Sequence, residues 1–174
     1  MQFEQVIKQQ YKIRKIDLRD EDLLLDLCIR CTDFFRLVEG RTPNSNDSAR
    51  ILEELPRGKQ YFDKFVLGIF DRHDKLIGVM DLIKDFPIKG EWVIGRLMLD
   101  PTVRGIGIGK NVHEYVKNQM LQTDAAQIRI CISENNTEAY GFCKNLGYKE
   151  LGRKKYKMGN KYNVFIIMIL SLLN

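Results

Sequence analysis

The sequence predicts an α/β domain with the element order β-α-α-β-β-β-α-β-α-β-β. Three observations lead to it. Short apolar runs are bounded by turn residues, two stretches carry apolar residues at steps of three and four, and a glycine-rich segment joins a strand run to a helical one. With 174 residues, 44% of them hydrophobic, the chain can bury one sizeable core and is too short for two comfortable domains, so one domain spanning 1–174 is expected.

The elements follow in chain order. "YKIRKI" from Tyr11 to Ile16 alternates apolar and basic residues, as a half-buried strand does. After it, Leu24, Leu27, Cys28, Cys31, Phe34, Phe35 and Val38 fall on one helical face, and Gly40 ends that helix. The loop "RTPNSNDS" leads to a shorter helix near Ala49 to Leu55, stopped by Pro56. Three strands are expected next: Phe65 to Asp71, Leu76 to Ile83 and Trp92 to Asp100. Beyond the glycine segment, Val112, Tyr115, Val116 and Met120 share a helical face. "AAQIRICIS" reads as a strand, "NTEAYGFCKNLG" as a short helix closed by Gly147, and two strands follow around the turn "MGNK".

Bulk properties exclude several classes of function. Charged residues make up 29% of the chain with both signs interspersed, and the net charge of +5 is too small and too scattered to indicate a nucleic-acid partner. The longest apolar run, Val164 to Leu173, is half of the roughly 20 residues that span a bilayer, so no membrane partner is expected. The first residues, "MQFEQVIKQQ", lack the apolar core of a signal peptide, and four cysteines give no disulfide scaffold. A cytoplasmic location is the expectation.

Chemistry concentrates in "DPTVRGIGIGKNV", Asp100 to Val112. A dinucleotide fingerprint would need glycine where Lys110 stands, and a Walker loop would need Ser or Thr where Asn111 stands. What remains is R-x-x-G-x-G, formed by Arg104, Gly107 and Gly109, between a strand and a helix. Such a turn aims several N–H groups at one point where a helix begins, a site suited to an anion. Each hydrogen bond to a charged oxygen contributes about 1.5 to 3 kcal/mol. Lys110 adds a point charge, and a pyrophosphate is the natural fit. The alternative is a ligand-free turn.

The segment from Leu97 to Leu151 resembles the GCN5-related N-acetyltransferase superfamily. Its cofactor loop reads [Q/R]-x-x-G-x-[G/A], and about thirty residues later comes N-x-x-A-x-x-x-Y-x-x-x-G-[F/Y]; here Asn136, Ala139, Gly147 and Tyr148 match. The resemblance implies a three-layer fold whose mixed, mostly antiparallel sheet of about seven strands is splayed in the middle and flanked by about four helices. It implies acetyl-CoA as the cofactor. The pantetheine arm would pair with main chain near Leu97 and Leu99, the amides of Arg104, Gly105, Ile106, Gly107, Ile108, Gly109 and Lys110 would hold the pyrophosphate, and Asn136 would make a polar contact. An acetyl group would pass by direct attack to a primary amine, on a small molecule or a peptide. The resemblance leaves a homodimer open.

Two positions bear on turnover. Where many relatives carry the tyrosine that protonates the departing thiolate, this chain has Cys143, either a substitute acid or an apolar residue facing the core; Tyr140 is a lesser substitute. Glu91, at the start of the strand leading to the loop, is the candidate general base or an exposed strand-end carboxylate, and Asp81 is a second. Loss of the tyrosine leaves open a non-catalytic acyl-CoA binding or sensing module. Cys28 and Cys31 read as packing rather than as a metal or redox pair, since no second pair exists. His73 and His113 are too far apart in sequence to suggest a cluster. Phe34, Phe35, Phe86 and Trp92 are candidates for an acceptor wall or for core. "RKKYK" reads as a solvated edge.

Overall fold

The computed structural model describes residues 4–7 and 11–173. All seven expected strands form, and an eighth joins them. They are β1 (Glu4–Ile7), β2 (Tyr11–Lys15), β3 (Lys64–Asp71), β4 (Leu76–Ile83), β5 (Glu91–Leu99), β6 (Gln127–Ser133), β7 (Lys149–Met158) and β8 (Lys161–Ser171). They make one sheet in the order β1-β2-β3-β4-β5-β6-β8-β7. β1 pairs antiparallel with β2 and caps one edge, an element the polar N-terminal sequence did not signal. Among the described strands, only the β5–β6 pair is parallel.

Five helices flank the sheet where four were expected: α1 (Glu21–Arg30), α2 (Thr32–Glu39), α3 (Asp47–Glu53), α4 (Ile108–Met120) and α5 (Thr137–Asn145). The extra one arises because the helix expected through Val38 breaks at Cys31. There the Thr32 hydroxyl donates to the Ile29 carbonyl at 2.7 Å, competing with the helical ladder. The Cys31 thiol donates instead to the Leu99 carbonyl at 3.3 Å. The break re-aims α2, and the apolar period hid it because Cys31 and Phe35 are both fully buried.

Helices on both faces give three layers. On one face Leu67, Met80, Leu82 and Ile94 pack with Val112, Val116 and Met120 of α4. On the other, Val66, Val79 and Met98 pack with Leu24, Leu27, Phe35 and Ile51 of α1 to α3. Each such side chain contributes roughly 1.5 to 3 kcal/mol by leaving water. Trp92 and Phe35, two of the four aromatic wall candidates, lie in this core, while Phe86 sits half-buried in the β4–β5 turn.

Two irregularities open the sheet. In the β4–β5 pair the register jumps from Asp81 opposite Arg96 to Leu82 opposite Ile94, so Gly95 is a bulge residue. β5 and β6 pair only from Glu91 to Ile94 and from Gln127 to Ile130. Beyond the bulge they part, β6 staying with β8 as far as Ser133. The second half of β5 thus has a free edge facing a gap.

Candidate active site

The gap is the floor of a cleft of about 410 Å³. Leu97, Met98 and Leu99 of β5 line it, together with Arg104, Gly105, Gly107, Gly109 and Lys110 of the loop and α4. Asn136, which caps α5, and Glu138, Ala139 and Phe142 of that helix also line it, and α2 gives Asp33, Phe34 and Leu37. Phe34 is the one aromatic candidate among them.

β5 is pinned at its far end. Asp100, 2% exposed, accepts from the Thr102 amide at 2.9 Å and from its hydroxyl at 2.6 Å, and it pairs with Arg30 of α1. Its own N–H donates to the Ile77 carbonyl of β4. Main-chain groups alternate along a strand, so those of Leu97 and Leu99 point the other way, into the gap. The Leu99 carbonyl accepts from Arg104 Nε at 2.9 Å and from the Cys31 thiol. What Leu97 presents there is main chain that no strand covers.

The loop delivers its amides to the same cleft. Gly105 and Gly107 have φ of 78° and 91°, and a Cβ on either would meet nothing within 4 Å. That left-handed backbone favours glycine, and the open space above it leaves room for a ligand. Gly107 caps α4 without a side-chain hydrogen bond. The helical ladder starts with Asn111 N–H on the Gly107 carbonyl, so the amides of Ile108, Gly109 and Lys110 have no helical acceptor. Of the neighbouring side chains, Ile106 is 71% exposed and Ile108 turns into the core. Only their main chain can serve a ligand. Asn136 caps α5 through its Oδ1, which accepts from the Ala139 amide at 3.1 Å, and it lines the cleft at the same time. These groups suit a diphosphate at the helix start and an extended amide-bearing arm along β5.

Cys143 and Glu91 are elsewhere. Cys143 is 1% exposed and packs in the core below α5; burial pushes its thiol up to about 12. On this helix Ala139 and Phe142, not Cys143, face the cleft. Glu91 is 1% exposed and held by Arg129 and Gln127. It lies six residues, about 20 Å, up the strand from Leu97. Its pairing partners were not visible in the sequence because β6 lies 36 to 38 positions away. Tyr140 lines a separate recess with Glu134 and Arg153. Asp81 is buried against Lys64, whose ammonium donates to it at 2.8 Å; burial raises its pKa, with the ammonium opposing. Burial likewise pushes Cys28 up to about 12 and Cys31 up to about 11.

The residues the sequence did not single out are Asp33 and Leu37 of α2, Met98 of β5, and Glu138 and Phe142 of α5. Asp33 forms a salt bridge with Arg104 across the cleft mouth. No local pattern links positions 71 residues apart.

Residues 32–148 match the family model described as the acetyltransferase (GNAT) family. The chain belongs to that family. The matched stretch runs from α2 through Tyr148 and so contains every cleft-lining residue. Among curated proteins, peptidyl-lysine N-acetyltransferase YjaB of Salmonella typhimurium is 41% identical over 59 residues, which cover 34% of this chain and 37% of that protein. The GNAT fold recurs in the ribosomal-protein-S5-alanine acetyltransferase of Vibrio fischeri, with a TM-score of 0.76, 17% identity and coverage of 97% of this chain and 96% of that one. It recurs in the PaiA N-acetyltransferase of Thermoplasma acidophilum in complex with coenzyme A, with a TM-score of 0.67, 20% identity and coverage of 92% and 98%. Among the described residues, no helix of this GNAT protein is long and apolar enough to cross a membrane.

Proposed function

We propose that the chain is an acetyl-CoA-dependent N-acetyltransferase acting on a primary amine of a small molecule or peptide. The observation that carries this reading is the continuity of one cleft from the uncapped start of α4 to the uncovered edge of β5. Bound there, acetyl-CoA supplies an activated acetyl group.

The chain's own contribution is binding and orientation. The amides from Gly105 to Lys110 hold the two phosphates, each charged hydrogen bond contributing about 1.5 to 3 kcal/mol. Leu97 main chain, free on its gap side, orients the pantetheine amides, and an N–H of this segment stabilises negative charge on the reacting carbonyl oxygen. α2 faces the cleft from the other side, so Phe34 and Leu37 form the acceptor's wall. Holding both reactants in one orientation lowers the barrier without a dedicated acid, since effective molarities for aligned partners reach about 10⁵ M or more. Neither Glu91 nor Cys143 is assigned a catalytic role, because both are buried away from the cleft. A cytoplasmic location and a homodimeric assembly go with this reading as expectations.

The position of Cys143 favours a second reading, a sensor that binds acyl-CoA without turnover. Thiol release from acetyl-CoA with a panel of primary amines separates the two. Amine-dependent release supports transfer, whereas CoA binding without release for any amine supports the sensor.

A further inference from the structure

Arg96 is the first residue after the Gly95 bulge, where β6 has already left β5. The bulge resets the alternation so that Arg96 stands opposite Asp81, on the sheet face that carries Val79 and Met98 and packs against α1 to α3. Its guanidinium carbon lies 5.8 Å from the centroid of Phe34, the aromatic ring in the cleft wall. Its Nε is buried and has no hydrogen-bond partner.

Asp81, opposite it in the register, feels the guanidinium's charge but makes no hydrogen bond or close ion pair with it. That carboxylate is engaged by Lys64 at 2.8 Å, and the Lys64 ammonium also donates to the Glu54 carbonyl at 3.0 Å. The polar row on this face therefore holds two cations and one anion. Most other charges nearby are paired, and Glu54, whose charge acts on Asp81, has no ion pair among the described residues. Arg41 and Arg50 pair with Glu39 and Asp47, Arg30 with Asp26 and Asp100, and Asp33 with Arg104. Among the described residues, no carboxylate is paired with Arg96.

A buried guanidinium N–H with no acceptor is rare because its desolvation is uncompensated. A planar carboxylate fits the Nε and Nη edge of arginine through two parallel hydrogen bonds. Arg96 is not itself a cleft-lining residue; its link to the cleft is the Phe34 ring, and it stands one residue before the free main chain of Leu97.

We propose that Arg96 is the acceptor's carboxylate anchor, so that the acceptor is a small amino acid with an apolar side chain and a carboxylate a few bonds from its amine. This rests on the acetyltransferase reading above and narrows its acceptor class. In it Arg96 fixes where the amine sits, and Phe34 and Leu37 take up the apolar part. A free peptide N-terminus would lack the carboxylate at that spacing and is the competing outcome.

The test uses apolar amino acids such as phenylalanine and methionine, each beside its carboxamide and its decarboxylated amine. Thiol release from acetyl-CoA is measured with the full chain and with Arg96→Gln and Arg96→Lys. The expected result is that the acid-to-carboxamide ratio of kcat/KM falls at least about tenfold in Arg96→Gln, through KM, with Arg96→Lys between the two. Comparing that ratio between proteins cancels differences in amine basicity. CoA affinity and Tm, measured on the same samples, identify a variant that has lost its fold. An unchanged ratio, an equal loss on acid and carboxamide, or a preference for peptide N-termini overturns the proposal. If no amine of any kind releases thiol, it is the transferase reading that fails. The anchor is then read from the rise in Tm of the CoA-loaded protein with amino acid against carboxamide. A difference abolished by Arg96→Gln supports it, and no difference in the unaltered protein overturns it.

Discussion

Arg104 of the glycine loop closes on Asp33 of α2 across the mouth of the cleft, its Nη2 3.1 Å from Oδ1, while its Nε donates to the Leu99 carbonyl at 2.9 Å. One side chain thus ties together the loop, the free edge of β5 and the acceptor-side helix. The pairing holds the Asp33 carboxyl below the usual carboxylate range, chiefly through the guanidinium hydrogen bond. Both side chains are partly in water, so the pair contributes about 0.2 to 1 kcal/mol after screening. Asp33→Ala should therefore lower Tm by no more than about 4 °C at pH 7. Because the folded pKa is lowered, the contribution is complete above the ordinary carboxylate range and disappears as pH falls through the lowered value. Melting curves of the two proteins should converge at the acid end.

Gly107 tests the anion cradle. At φ 91° a β-branched side chain is strained, and a Cβ there enters open cleft space rather than protein. Gly107→Val should keep the fold with a loss of about 1 to 3 kcal/mol. It should weaken CoA at least about tenfold, because the loop amides can no longer converge and the added methyls occupy the ligand's approach. Calorimetric titration with CoA reads this, and affinity equal to that of the parent would show that the diphosphate lies elsewhere.

Cys143 separates a chemical role from a packing one. A thiol 1% exposed, pushed up to about 12 by burial and absent from the cleft lining is poorly placed to meet a leaving group there. Cys143→Ala should change kcat less than about twofold, lower stability by about 1 kcal/mol through the small cavity left, and add no limb to the pH–rate profile. The raised folded value also sets a sign. Its stabilising contribution is whole below the unfolded thiol value of 9.0 and disappears as pH rises from there towards 12. Parent and variant should draw together in alkaline denaturation.

The parts of this site that the sequence made legible are those in which local chemistry and local structure coincide. Arg104, Gly107 and Gly109 mark a strand-to-helix turn by residue type alone, since positive φ and close approach select glycine. Asn136 marks a helix start because its side chain caps one. The Leu76 to Ile83 strand was readable to the residue because a mainly apolar run between turns, interrupted only by Asp81, has few alternatives. Features set by tertiary contact were not readable. At the break after α1 the Thr32 hydroxyl bond is local, but the Cys31 thiol's bond to the Leu99 carbonyl is not. The Gly95 bulge depends on the β4 register, and Glu91 looked available only until β6 brought Arg129 to it. The same holds for Arg96, whose lack of a hydrogen-bonded carboxylate is visible only once Lys64 is seen on Asp81.

His113 of α4 and Tyr148, just before β7, form a buried pair, with Nε2 2.8 Å from the tyrosine oxygen and Nδ1 without a hydrogen-bond partner, 3.9 Å from a Glu114 carboxylate oxygen. Burial lowers the imidazole from 6.5 to about 4 and raises the Tyr148 hydroxyl, so at neutral pH both are uncharged. A depressed folded value means that the neutral imidazole's contribution is complete above pH 6.5 and is lost as pH falls through about 4. A fall from 6.5 to about 4 corresponds to roughly 3 kcal/mol at most. His113→Gln keeps a hydrogen-bonding group opposite Tyr148 and removes the titration. Urea unfolding at pH 7 and pH 4 should show the parent losing about 2 to 3 kcal/mol more than this variant over that interval. An equal loss in the two proteins would mean that the imidazole is already charged in the folded state, which the apolar packing around Tyr148 does not allow.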